Sequence, residues 1–395
     1  MRLGFFPAGL RRDLRSAGNI WLHAVSVGEV LASRQLIEGL RKAYPEKRLV
    51  ISTVTPTGNK IAASIVQGKE LVIYLPLDFS FIAKKVIDII RPAMFIVAET
   101  EIWPNLISCL HRRRVPIITV NSRISDVSFK GYRCVRFLLA PVLNKIDCFC
   151  CQTQTDAKRL LALGVNKERI EITGNMKFDN TEYADKGTAD KSILGPRGEE
   201  KLFVAGSTHP EEEEIILGAY KGLLGEFPYL KLLIAPRHPQ RAEEIEKIIR
   251  KYGFNPVKVS QLDGGSAAQA DRSTVFILDT IGQLNSFYAA ADIVFVGGSL
   301  VKKGGHNILE PAFFAKPILF GPHMFNFRDM AGLFLEKNAA IQVKGGGELK
   351  ERVKSLLNNP QEAFALGKRA KELLLHNKGA TQRNLERIKD IISLE

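Results

Sequence analysis

Residues 20–54 read IWLHAVSVGEVLASRQLIEGLRKAYPEKRLVISTV, and this stretch decides the fold. Ile20–Val25 and Leu49–Val54 are short runs of bulky apolar residues without polar alternation. A strand with one wet face alternates and a strand covered on both faces does not, so both read as members of a buried parallel sheet. Between them, Val30–Tyr44 carries Val30, Leu36, Ile37 and Leu40 at helical spacing. Strand, helix and strand in that order form a βαβ unit.

Working outward, the same alternation runs through the chain. Further strands are expected at Leu71–Leu75, Met94–Ala98, Val115–Val120, Asp147–Gln152 and Ile170–Thr173, with helices between them, including Gly58–Gln67, Glu101–Arg113 and Tyr132–Leu143. Asp179–Gly198 is polar, holds Gly187, Gly195 and Pro196, and reads as a linker. The alternation then restarts with strands near Leu202–Ala205, Lys231–Ala235, Val257–Val259, Val275–Leu278, Ile293–Val296, Pro317–Phe320 and Ala340–Val343. Helices include Ile281–Ala290 and Asn307–Phe314, and Asp263–Arg272 reads as an exposed loop. The expected organisation is a first domain over 1–178, a linker over 179–198 and a second domain over 199–395, with the last helix, Thr381–Leu394, packing back on the first domain. The fold class is α/β: two doubly wound, Rossmann-like domains facing a central cleft, the GT-B architecture that some epimerases share.

Composition agrees with two folded domains. The chain has 395 residues, too many for one ordinary core, and its 45% hydrophobic and 25% charged residues are those of a folded protein. Five cysteines, three crowded at Cys148, Cys150 and Cys151, fit neither a disulfide framework nor a zinc site and are expected as buried thiols. Arg2, Arg11, Arg12, Asp13 and Arg15 break any signal-peptide core, and no apolar run reaches the roughly 20 residues that span a bilayer. The net charge of +14 is uneven: residues 1–178 hold 27 Lys and Arg against 14 Asp and Glu, whereas 179–395 hold 29 against 28. A polyanionic partner of the first half follows, be it nucleic acid, an anionic membrane or a phosphorylated substrate.

In the second half, Gly304-Gly305-His306-Asn307-Ile308-Leu309-Glu310-Pro311 follows the strand ending in Val296-Gly297-Gly298-Ser299. Glycines at a strand-to-helix turn let backbone approach a ligand, and a helix start offers N–H groups to phosphate. Glu310 then sits one turn into the helix, where a carboxylate can accept ribose hydroxyls; an ordinary helix with Glu310 complementing its dipole is the plainer alternative. Two turns end strands in the same sense, Ala205-Gly206-Ser207-Thr208-His209-Pro210 and Ala235-Pro236-Arg237-His238-Pro239. Arg237 can fork onto a phosphate, and Ser207 and Thr208 can donate to it or to a sugar. Asp279-Thr280-Ile281-Gly282-Gln283-Leu284 offers a bare N–H at Gly282 for a base or phosphate, and capping by Asp279 or Thr280 fits it as well. His209, His238 and His306 lack the spacing of metal ligands, so no metal is expected.

In the first half, His23-Ala24-Val25-Ser26-Val27-Gly28-Glu29 leads from strand to helix. Glu29 is a candidate general base if burial lifts its pKa toward neutrality, and equally a first-turn glutamate favoured by the helix dipole. Thr55 lies in a hydroxyl-rich turn, Thr53-Val54-Thr55-Pro56-Thr57-Gly58. Glu99 closes the next strand and Glu101 opens its helix. Arg123 and Lys177 follow later strands and bring positive charge for an anionic substrate, Lys177 also fitting an exposed linker position.

The segments HAVSVGE, TVTPTG, AETEIWPN, NSRISD, GNMKFD, AGSTHPEEEE, APRHPQR, DTIGQL and GGHNILEP, in this order from Ile20 to Arg328, resemble the 3-deoxy-D-manno-octulosonic acid (Kdo) transferases of lipopolysaccharide synthesis. The resemblance implies a GT-B fold and inverting transfer of Kdo from CMP-Kdo to a sugar hydroxyl of a lipid A precursor, lipid IVA. It implies Glu29 as proton acceptor, Glu99 as a second catalytic acidic residue and Lys177 as a basic residue assisting the transition state. Pro236-Arg237, Ile281-Gly282-Gln283 and Asn307-Ile308-Leu309-Glu310 match the CMP-binding segments, with Ser207, Thr208 and Gly305 as further donor contacts and Thr55 and Arg123 on the acceptor side. Family members usually carry Glu where Gln283 stands, so only a backbone role carries over there. Most open with an apolar anchor helix that this sequence does not show, so peripheral attachment at the cytoplasmic face of the inner membrane is expected.

No D-x-D pair is present for a divalent ion, so Arg237, Lys177 and the helix dipole at Asn307 are expected to stabilise the leaving phosphate. Arg112, Arg113, Arg114, Arg133 and Arg136, interleaved with Phe5, Phe6, Phe129, Phe137, Leu138 and Leu139, suit lipid phosphates and an anionic membrane surface. Two rivals remain at this stage: another GT-B transferase, such as a lipid A disaccharide synthase, and a basic nucleic-acid-binding protein. The second lacks an RNP-like aromatic pattern, a basic recognition helix and a zinc motif, so no nucleic-acid partner is expected.

Overall fold

The computed structural model describes residues 1–15, 18–179, 200–262 and 273–393. The expected linker beyond Asp179 and the expected loop Asp263–Arg272 lie outside the described residues. The chain divides into two compact units, one formed by Met1–Asn180 with Asn377–Glu395, the other by Thr181–His376. The second unit therefore ends at His376 rather than at the C-terminus.

In the first unit, seven parallel strands are β1 (Asn19–His23), β2 (Leu49–Thr53), β3 (Leu71–Tyr74), β4 (Pro92–Ala98), β5 (Ile117–Ser122), β6 (Cys148–Cys151) and β7 (Ile170–Ile172). They lie in the order β3-β2-β1-β4-β5-β6-β7. The absence of polar alternation has its reason in two separate cores. Trp21, Val50, Phe95 and Val97 pack on one face with Ile82, Val86, Leu106 and Leu110, while Ile20, Leu22, Ile51, Met94 and Ile96 pack on the other with Val30, Leu36, Ile37 and Leu40. Each fully buried Leu, Ile or Phe contributes about 1.5–3 kcal/mol against exposure, which is why this sheet holds its register. The C-terminal helix, Ala380–Ser393, joins the second core through Ala380, Leu385 and Ile388. Asp179 fixes its start: the carboxylate accepts from Gly379 N at 2.6 Å and from Thr381 N at 2.5 Å.

The second unit has β8 (Lys201–Thr208), β9 (Leu230–Pro236), β10 (Asn255–Lys258), β11 (Thr274–Ile277), β12 (Ile293–Val296), β13 (Ile318–Phe320) and β14 (Ile341–Gln342). All pair in parallel, in the order β10-β11-β9-β8-β12-β13-β14. β11 enters between β10 and β9, and Pro256 explains why β10 is left at the edge: proline has no N–H to give a central ladder. Phe203, Leu232, Ile234, Phe295 and Leu319 meet Ile216, Tyr220, Ile245 and Val353 in the core.

Helices depart from the sequence reading in several places, and those expected over Glu101–Arg113 and Ile281–Ala290 begin only at Pro104 and Leu284. Val30–Tyr44 is two helices, Val27–Ala32 and Arg34–Ala43, joined at Ser33. Tyr132–Leu143 is likewise split at Val135 into Asp126–Cys134 and Arg136–Leu143. Ala8–Leu14 is a helix that was not expected, buried through Leu14. The helix expected over Asn307–Phe314 covers only Leu309–Phe313, and five residues carry too little aligned dipole for the anion role assigned to Asn307. Among the described residues, no helix is long and apolar enough to cross a membrane. Cys109, Cys148, Cys150 and Cys151 are buried thiols, and Cys134 is an exposed one.

Candidate functional site

An open parallel sheet presents its crevice where the strand order reverses, beyond the C-terminal strand ends. In the first unit the reversal lies between β1 and β4. Glu29 follows β1 and Glu99 follows β4, so topology alone brings both to this edge. Ser26 caps the helix that carries Glu29, its Oγ accepting from Glu29 N at 3.4 Å. The carboxylate reaches back, Oε1 accepting from Ser26 Oγ at 2.9 Å and Oε2 from Val25 N at 2.6 Å. This exchange resembles a capping box and holds the carboxylate in one place. Burial, then the negative charge of Glu99, push the Glu29 carboxyl up to about 7 despite those two bonds. Glu101 is raised by the same two causes.

Lys177 Nζ stands 3.6 Å from Glu99 Oε1, so the lysine belongs to this cluster rather than to an exposed linker. Two strained residues place the pair. Glu99 has φ +59° and Asn121 φ +54°, a region non-glycine residues enter at a cost, and both lie at the end of a strand. Glu99 N donates to Val120 O at 2.9 Å, and Asn121 Oδ1 accepts from Met176 N at 3.0 Å, fixing the turn that carries Lys177. His23, fully buried at the end of β1, is held neutral by burial, its pKa lowered to about 4. Thr55 caps the helix Pro56–Ile65, accepting from Gly58 N at 3.1 Å, and lies against Val25 O at 3.4 Å. Arg123 is tied by its backbone to Thr100 Oγ1 at 3.0 Å.

In the second unit the reversal lies between β8 and β12. Ser207, at φ +57°, and Thr208 end β8; Pro236 ends β9 with Arg237 exposed after it. Thr208 is buried and donates to Glu213 Oε1 at 2.9 Å, and Arg241 pairs with the same carboxylate at 2.8 Å, so this hydroxyl has a partner within the protein. After β12, Gly305 at φ +72° packs directly against Met324, where a Cβ would lie 2.1 Å from Met324 Sδ, so the position has room only for glycine. Asn307 organises the next turn: Oδ1 accepts from Leu309 N at 3.1 Å, and Nδ2 donates to Glu310 Oε1 at 3.2 Å. Ile308 and Leu309 are buried beneath it. Burial lifts the Glu310 carboxyl to about 7, against the pull of Asn307 and of the Arg237 charge. Ile281, Gly282 and Gln283 form an exposed turn ahead of the helix Leu284–Ala290, with Gly282 at φ +88°. Among the described residues, no group of three or more His, Cys, Asp or Glu is arranged to hold a metal ion.

Comparison with known proteins identifies the family. A family model for 3-deoxy-D-manno-octulosonic-acid transferases (kdotransferases) matches residues 1–180. The 3-deoxy-D-manno-octulosonic acid transferase of Haemophilus influenzae is 36% identical over 374 residues, 94% of this chain and 86% of that protein. The chain belongs to the 3-deoxy-D-manno-octulosonic acid transferase family. It is thereby a glycosyltransferase. The Rickettsia typhi member is 32% identical over 94% of this chain and 79% of its own length. Among solved structures, UDP-GlcNAc 2-epimerase from Neisseria meningitidis shares the fold with a TM-score of 0.59 at 10% identity, covering 94% of this chain and all of that one. A glycosyltransferase from Rickettsia africae does so with a TM-score of 0.56 at 12% identity, covering 95% of this chain and 99% of that one.

Three residues that hold distant backbone in place escape a sequence reading: Asn121, Glu212 and Asp179. Asn121 and Asp179 stand inside quoted motifs but work through backbone N–H groups far away in sequence. Glu212 hides in the run Glu211–Glu214, where only burial separates it from a solvated charge.

Proposed function

We propose that this chain transfers Kdo from CMP-Kdo to a hydroxyl of a phosphorylated lipid A precursor, lipid IVA, with inversion at the anomeric carbon, in lipopolysaccharide synthesis. The observation that carries the proposal is the Glu29 carboxylate, anchored by Val25 N and Ser26 Oγ and raised to about 7 beside Glu99. A base poised near the working pH is both ionised and basic enough to accept a proton. Glu29 takes the proton of the acceptor hydroxyl; its oxygen bonds to the anomeric carbon as the bond to the CMP phosphate breaks. Lys177, oriented by Glu99, supplies positive charge to the carboxylate-bearing sugar in the transition state.

On the donor side, Glu310 and Asn307 are proposed to receive the ribose, and Arg237 to meet the charge of the leaving phosphate. The reading calls for no metal ion. Family membership and the ordered motifs support CMP-Kdo as the donor. A membrane-facing acceptor is supported by one side of the first unit, where Phe5, Phe79, Phe81, Phe137 and Leu138 are exposed on segments that pack over the same core face. Arg112, Arg114, Arg133 and Arg136 are exposed there too. Of the six apolar residues named from sequence, Phe6, Phe129 and Leu139 pack into the core instead.

Nucleotide release separates this reading from its nearest rival. The chain should liberate CMP from CMP-Kdo only when acceptor is present and no UDP from UDP-linked sugars; acceptor-dependent UDP release without CMP would replace the reading with a disaccharide-synthase type of activity.

A further inference from the structure

The Glu212 carboxylate is fully buried and gathers four backbone N–H groups from two separate turns. Oε2 accepts from His209 N at 3.0 Å and from Gly298 N at 2.6 Å. Oε1 accepts from Ser299 N at 2.9 Å and from Leu300 N at 2.8 Å. His209 follows β8 and Gly298–Leu300 follow β12, the two strand ends that flank the reversal of this sheet. A glycine-containing turn whose N–H groups converge is how many proteins hold phosphate. Here the chain's own carboxylate fills that place, so a donor phosphate has to be met elsewhere, and the turn takes its shape from Glu212.

That shape reaches the donor cluster through short contacts. Gly298 lies at φ +67°, and a Cβ on it would stand 3.1 Å from the His306 ring and 3.3 Å from the His209 ring. The two rings are stacked, with their Nε2 atoms 2.9 Å apart. His306 leads directly into Asn307 and Glu310. We infer that Glu212 is a positioning residue for the donor: by tying His209 to Gly298–Leu300 it sets the imidazole pair and, through it, the Asn307–Glu310 corner. The inference rests on the reading that this unit binds a nucleotide sugar. Only an ionised carboxylate suits the task, because all four partners are donors, and a Gln amide would turn its NH2 group against two of them.

The test compares the full chain with Glu212→Gln and Glu212→Asp, using Asp292→Asn as control. Asp292 accepts from Leu202 N at 2.9 Å at the opposite end of β8. CMP-Kdo and lipid acceptor are varied separately, and CMP and UDP binding are followed by calorimetry. Glu212→Gln should raise the donor KM and the CMP Kd about tenfold or more while the acceptor KM stays within about twofold, since a lost positioning contact acts on the ligand it positions. Glu212→Asp should recover part of the loss, and Asp292→Asn should leave the donor KM in place. Lower stability or a smaller active fraction with an unchanged donor KM and CMP Kd would make Glu212 a plain fold staple and overturn the inference, as would failure of both Glu212 variants to fold. A wild-type chain that binds CMP without transferring Kdo, and loses that binding in Glu212→Gln, would sink the proposed reaction and leave the positioning role standing. Binding of neither nucleotide would remove both.

Discussion

Glu29 carries two roles that pull on one carboxylate: it completes the cap of its own helix, and burial near Glu99 keeps its proton affinity high. Replacement by Gln keeps the cap acceptor but removes the base, so Glu29→Gln should lower kcat about 10²–10⁴-fold with CMP binding and circular dichroism unchanged. Near-normal turnover in that variant would refute the assignment. The wild-type profile of kcat/KM should rise with pH through about 7 as Glu29 ionises. Stability should move the other way. A carboxyl raised from its ordinary value to about 7 favours the fold while protonated, so that contribution is complete below the ordinary value and fades as pH climbs to about 7. Glu29→Gln should therefore flatten the fall of the melting temperature between about pH 4.5 and 7; an unaltered slope would count against the raised pKa. Sequence could name Glu29, Glu99 and Lys177 because each follows a strand. It could not bring Lys177 within 3.6 Å of Glu99, since that depends on left-handed backbone at Glu99 and Asn121.

At the scale of elements, the strands were legible in both sheets, the central ones because strands buried on both faces write themselves as uninterrupted apolar runs, while the edge strands β7, β10 and β14 are partly exposed. Helix ends were less so: the breaks at Ser33 and Val135 carry neither Gly nor Pro, and the helix after Asn307 starts late because Asn307 spends its amide on capping and on Glu310. The last helix was expected to return to the first domain, and its attachment has a chemical anchor in Asp179. Asp179→Ala leaves Gly379 and Thr381 N–H groups without that acceptor. A loss of about 1.5–3 kcal/mol is expected for bonds to a charged group, seen as an earlier urea midpoint together with faster hydrogen exchange over residues 380–393. Unchanged exchange in that helix would show that Leu385 and Ile388 alone hold it in place.

At the scale of the molecule, the charge excess lies almost wholly in residues 1–178, beside exposed Phe5, Phe81 and Phe137. Basic residues around inserted aromatics predict a peripheral attachment with two parts, one screened by salt and one not. Vesicles of anionic phospholipid should bind the chain, with affinity falling as salt rises. Phe81→Ser with Phe137→Ser should weaken binding about tenfold at fixed salt, each buried aromatic being worth about 1.5–3 kcal/mol at most; equal binding to neutral vesicles at all salt concentrations would oppose this. The central claim is the reaction itself. Incubation of the purified chain with CMP-Kdo and tetraacylated lipid A precursor, read by product mass, should show the acceptor heavier by whole Kdo residues with CMP released in equal number. An acceptor of unchanged mass, with CMP-Kdo intact or merely hydrolysed, would contradict it.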